Sequence, residues 1–164
     1  MTISQLLLPE FDQEMASTRR MLASVPDDKF SFKPHDKSMP LGRLASHVAE
    51  MPGWVIPTME QDSLEMTPGQ QPFLAASTAE LVESFDKNVA AARPLIEGAS
   101  DETFAKDWSF IYAGHKVFNG PKSQVIRGMV FSHLVHHRGQ LSVYLRLMDI
   151  PVPGMYGPSA DEKM

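Results

Sequence analysis

Residues 121–148 hold the longest helical pattern in the chain, and it sets two histidines, His133 and His137, on an apolar face with Val130, Leu134, Leu141 and Tyr144. A helix advances about 100° and rises about 1.5 Å per residue, so positions four apart lie on one side about 6 Å from each other. That face looks inward, and a polar ring on an inward face must be satisfied by some partner. Two imidazoles so placed can grip one divalent cation and leave its other positions free.

The remaining pattern supplies neighbours for this helix. Leu6, Leu7, Phe11, Met15 and Leu22 recur at helical spacing across residues 4–24, with Pro9 near the first turn. A second helix is expected from Met39-Pro-Leu, with Ser38 as N-cap and Pro40 at the first helical position. Its stripe is Leu41, Leu44, Val48, Met51 and Val55, and Pro52-Gly53 predicts a kink or break inside it. Residues 62–76 read as a loop. Ser77-Thr-Ala-Glu80 is a capping-box signature that opens a third helix running to Gly98. Two short β-like runs around Ala113-Gly114 suggest a hairpin or a packed connection before the last helix. The tail, with Pro151, Pro153 and Pro158, cannot be regular helix. The expectation is one domain, residues 1–164, with an all-α, up-down four-helix bundle fold.

Composition narrows the function. Fifteen basic against twenty acidic residues give a net charge of −5 with no basic stripe, which argues against a nucleic-acid partner. There is no cysteine, which excludes disulfides, thiolate ligands and a cysteine nucleophile. Any metal must be held by nitrogen and oxygen, and any thiol chemistry needs a thiol from a cosubstrate. No apolar run reaches the roughly 20 residues that span a bilayer. Nor does the N-terminus have a basic region of signal-peptide type, so the expected location is the cytoplasm. The eleven methionines fit irregular gaps in a core.

Six histidines are present. His47 shares the inward stripe of the second helix, so two helices present imidazoles to one core and can form a facial three-nitrogen set that keeps a fourth position open. His136 is about 60° from His133 on the helix and remains an alternative ligand. His35 and His115 fall in expected loops. Glu50, one turn from His47, is a candidate general base, with surface exposure as the plainer reading. Trp54 either lines a cleft or packs in the core, the latter favoured. Arg138 reads as facing solvent, Gln140 is undecided, and Tyr156 is a candidate to fold over the site.

Leu41-Gly-Arg-Leu-Ala-Ser-His47-Val-Ala-Glu and His133-Leu-Val-His-His137-Arg-Gly-Gln-Leu141, with the closing Pro151-Val-Pro-Gly-Met-Tyr-Gly-Pro, resemble the DinB-like metal-binding bundles, which include the YfiT-type and maleylpyruvate-isomerase-type proteins. These bundles are unrelated to the DNA polymerase that has carried the same label. The resemblance implies an open divalent site, usually nickel or zinc, on His47, His133 and His137. It also implies a homodimer and, in relatives of known activity, reactions that use a low-molecular-weight thiol. The expected function is therefore a metal-dependent enzyme of thiol S-transferase type acting on a small molecule. Metal-assisted hydrolysis and a non-catalytic metal staple between the second and fourth helices are the alternatives. Nitrogen-only ligation also admits copper or iron.

Overall fold

The first helix, α1 (Ile3–Ala23), starts at a reciprocal cap in a computed structural model that describes residues 1–162. Thr2 Oγ1 accepts from the Gln5 amide, and Gln5 Oε1 accepts from the Thr2 amide. Leu7, Phe11, Met15 and Leu22 form its buried stripe, whereas Leu6 points out. Pro9 lies on the exposed side, where water can serve the backbone carbonyl that its missing N–H leaves free.

The second helical run is built in three pieces: α2 (Leu41–Glu50), a 3-10 turn (Met51–Trp54) and α3 (Val55–Glu60). Pro40 caps it rather than entering its first turn. The break falls at Pro52-Gly53, and α4 (Thr78–Glu97) repairs it. Asn88 Nδ2 donates to the Ala49 carbonyl at 3.0 Å. A Cβ on Gly53 would meet Asn88 Oδ1 at 2.8 Å, so the repair needs glycine there. Leu41, Leu44, Val48, Met51 and Val55 are all fully buried. Ser77 caps α4 by accepting from the Glu80 amide, and Gly98 closes it.

The all-α expectation is overturned by a three-stranded mixed sheet, so the chain is α/β rather than an all-α four-helix bundle. After the short α5 (Asp101–Ala105), β2 (Asp107–Tyr112) turns at Ala113-Gly114 into β3 (His115–Pro121), the hairpin that was one of two options. The expected loop at 62–76 contains a third strand, β1 (Ser63–Met66), which pairs in parallel with β2. Four residues with no clear alternation carry no strand signal of their own. Their pairing is with a segment more than forty residues on, Ser63 opposite Ser109, and a local pattern cannot register it.

The sheet packs beside α3 and the start of the last helical run. Trp108 Nε1 donates to the Pro57 carbonyl at 3.1 Å. Lys122, almost fully buried, donates from Nζ to the Met59 and Gln61 carbonyls at the end of α3, both at 2.9 Å. The last run is α6 (Lys122–Val125), a π-helical stretch (Ile126–Ser132) and α7 (His133–Leu147). The main core lies where α1, α2, α4 and α7 meet, and the tail is tied back by Arg20–Glu162 and Arg146–Asp161 pairs.

Candidate metal centre

His47 projects from α2 at the edge of its buried stripe, and His133 and His137 project from the first turns of α7. The π-helical stretch ends at Ser132, immediately before the first of these two, and such wide turns recur at functional positions in helices. The three rings converge. Their centroids are 5.1 Å (His47–His133), 4.8 Å (His47–His137) and 4.6 Å (His133–His137) apart. One ligand nitrogen from each ring lies within 4.8 Å of the others.

Each ring is oriented by a partner behind it. His47 Nδ1 is 2.7 Å from Glu50 Oε1, and His137 Nδ1 is 2.7 Å from Gln140 Oε1. His133 bonds to the backbone of Met129. These acceptors fix the Nδ1–H tautomer at His47 and His137 and so aim Nε2 lone pairs inward. His133 and His137 then face each other Nε2 to Nε2 at 2.9 Å. Two bare lone pairs at that distance repel, and a cation between them removes the conflict. Tetrahedral coordination at about 2.0–2.1 Å needs nitrogens about 3.3 Å apart, inside the observed span of 2.9 to 4.8 Å. The donor set fits a divalent metal.

Burial, followed by the neighbouring His137 and His47 rings, pushes the His133 imidazole down to about 4. Burial also lowers His137, against the opposing pull of its Gln140 hydrogen bond. At neutral pH both rings are therefore neutral, the form that ligates.

A cleft of about 350 Å³ opens onto His47. Its helical wall is Arg43, His47, Glu50 and Trp54, and its opposite wall is the sheet face carrying Leu64, Met66, Trp108 and Phe110. Leu64 and Phe110 are register partners, and residues two apart on a strand share a face, so the sheet is the floor of the cleft.

Several expectations need correction. Trp54 meets both readings: half-buried and packed against the edge of the core, it also lines this cleft, 5.6 Å from the His47 ring and 5.4 Å from that of His133. Arg138 is 2% exposed, not solvated: it pairs with Glu14 at 2.6 Å and bonds to Thr18 Oγ1 and Tyr156 Oη. Tyr156 accordingly sits over Glu14 and Arg138 and not over the triad. Glu50 is a half-buried partner of His47 rather than a surface group. His136 stays exposed beside His137, outside the converging set. His35 is exposed in its loop and His115 opens β3, also exposed. Arg43, Met129, Trp108 and Phe110 were missed. Of these, only Arg43, one turn before His47 on the same face, carried a readable signal.

Among the described residues no helix is long and apolar enough to cross a membrane. Known proteins similar to the chain agree with this architecture. The sequence model of the DinB family matches residues 1–163. The uncharacterized protein YrdA of Bacillus subtilis (strain 168) is 27% identical over 156 residues, covering 94% of this chain and 89% of that protein. A crystal structure of a DinB-like protein from Bacillus cereus ATCC 10987 superposes with a TM-score of 0.70 at 23% identity, over 91% of this chain and 95% of that one. Another, the DinB-like protein YjoA from Bacillus subtilis, gives 0.67 at 15% identity, over 96% and 99%. At these identities the two structures speak to the fold.

Proposed function

The chain belongs to the DinB family, and from that premise we propose that His47, His133 and His137 hold one divalent cation, nickel or zinc, in a metal-dependent enzyme that uses a low-molecular-weight thiol, of S-transferase type. The observation that carries the proposal is the set of three converging imidazoles, oriented from behind, one of which, His47, lines a cleft. When bound, the cation would supply Lewis acidity, lowering the pKa of a small thiol or water at its open position.

The chain's own residues do the rest. Glu50 holds the Nδ1 proton of His47, and Gln140 that of His137, which keeps the ligand nitrogens bare and raises their donor strength. Trp54 and Phe110 present ring surface to a substrate body, and the buried Trp108 behind them helps keep the apolar part of the cleft dry. Without a cysteine anywhere in the chain, the nucleophilic sulfur must arrive as a cosubstrate. A small-molecule substrate, a homodimer and a cytoplasmic setting belong to the same reading. The cleft that reaches His47 favours turnover over a staple, because a staple has its fourth position closed by a side chain.

The test is metal analysis of purified protein beside His137→Ala, followed by a thiol-consumption screen. Bacillithiol-, mycothiol- and glutathione-type thiols would be offered with a generic electrophile to metal-loaded and chelated protein. One metal per chain, lost in the variant, and thiol consumption by the loaded form alone are expected. Full metal content in His137→Ala would remove that ligand, and no consumption with any thiol would sink the transferase reading.

A further inference from the structure

Arg43, His47, Glu50 and Trp54 stand at i, i+4, i+7 and i+11 along one face of the second helical run, and all four line the cleft. The guanidinium of Arg43 is poorly matched. Its Nη2 lies 3.6 Å from Glu50 Oε1, too far for a good hydrogen bond, and that oxygen already accepts from His47 at 2.7 Å. Its Nη1 is buried without a hydrogen-bond partner, the one side-chain nitrogen or oxygen in that position among the described residues. The two buried cations contrast with it: Lys122 has two carbonyls and Arg138 has a carboxylate. A buried charged donor left unpaired is costly, and sites of ligand recognition are where such cost is tolerated.

The surroundings say what would pair with it. Among the described residues Arg43 is the only cation lining the cleft, and around it stand Trp54, Trp108, Phe110 and Phe73. We propose that Arg43 is the recognition residue for the carboxylate of a small amphipathic monoanion, whose aromatic or branched apolar body lies between Trp54 and the half-buried Leu64 and Phe110 of the sheet wall, beside the three imidazoles. One guanidinium edge suits a single carboxylate, whereas a phosphate dianion needs further donors, and among the described residues no second cation faces the cleft. The volume of about 350 Å³ holds a ring with a short acid chain. This substrate class rests on the cleft's being the chamber of the proposed metal enzyme, and it names the kind of electrophile presented there.

Both tryptophans of the chain line the cleft, so intrinsic fluorescence reports its occupancy. The full-length protein, first chelated and then zinc-loaded, is titrated with 3-phenylpropionate and with its neutral amide, 3-phenylpropionamide. The carboxylate is expected to bind at least about tenfold more tightly than the amide in the chelated protein. Arg43→Gln should abolish that preference, and far-UV circular dichroism of the same samples shows whether the variant is folded. Arg43→Lys, which keeps the charge but loses the fork, should retain only part of the preference and serves if the glutamine variant does not fold. Equal binding of the two probes, no binding of either, or a preference that survives in Arg43→Gln would overturn the proposal. Metal content of the same samples separates the two readings. Stoichiometric metal without carboxylate preference sinks only Arg43, while carboxylate preference in a protein that takes up no metal sinks only the metal centre.

Discussion

At the triad, each nitrogen that points away from the cleft already has an acceptor, and those acceptors are as much a part of the site as the rings. Glu50→Ala should therefore weaken metal affinity about 10- to 100-fold without removing a ligand, read by competition with a chromogenic chelator. Unchanged affinity would mean that the Glu50–His47 contact does not orient the ring. The second residue-scale prediction concerns Arg138 and Glu14, whose side chains are only 3% and 8% exposed. Arg138→Met should cost about 3–5 kcal/mol in urea unfolding, because it strands the Glu14 carboxylate. Adding Glu14→Leu should recover a large part of that loss, and a double variant no better than the single one would refute the pairing. The three converging imidazoles were legible because two were four apart on one helix and the third lay on a matching stripe. Arg138 was not legible, because an arginine next to solvent-facing neighbours looks solvated until Glu14, from 124 positions away, is placed against it.

Elements announce themselves when their stabilising contacts are local. Ser77 and Gly98 mark helix ends by bonds to residues within four positions, and Pro52-Gly53 marks a break for an equally local reason. The β2–β3 turn is local too: Ala113 and Gly114 both have positive φ, 50° and 77°, the pairing that a tight hairpin turn demands. A Cβ at such a φ is strained, so Ala113→Gly should stabilise the protein by several tenths to about 1 kcal/mol, against the usual effect of glycine. Urea denaturation checks the sign, and destabilisation would show that the turn is not the one described. β1 is the opposite case. Its short segment becomes a strand only through β2, and with it comes the face that makes a cleft rather than a bare bundle surface.

For the molecule as a whole, the buried His133 couples the site to stability and to pH. Its imidazole titrates at about 4 in the folded chain against 6.5 ordinarily, so between those values the unfolded chain holds a proton that the folded chain lacks. Stability of the metal-free protein should then fall as pH drops from 6.5 towards 4, and the loss should be smaller in His133→Gln. Thermal melts at several pH values measure both, and identical pH profiles would contradict the burial of this ring. The amino-acid sequence alone determined where the main helical runs lie, the Ser77 and Gly98 ends of α4, the break at Pro52-Gly53, the inward stripes and the three ring-bearing positions, while the expected Ser38 cap gave way to Pro40. Those depend on periodicity and on contacts a few residues long, which one stretch of chain contains in full. Only the tertiary structure decided the sheet, the burial of Arg138 and the unpaired edge of Arg43. Each of these depends on which distant segment is brought alongside, and partners separated by dozens of residues leave no local periodicity to read.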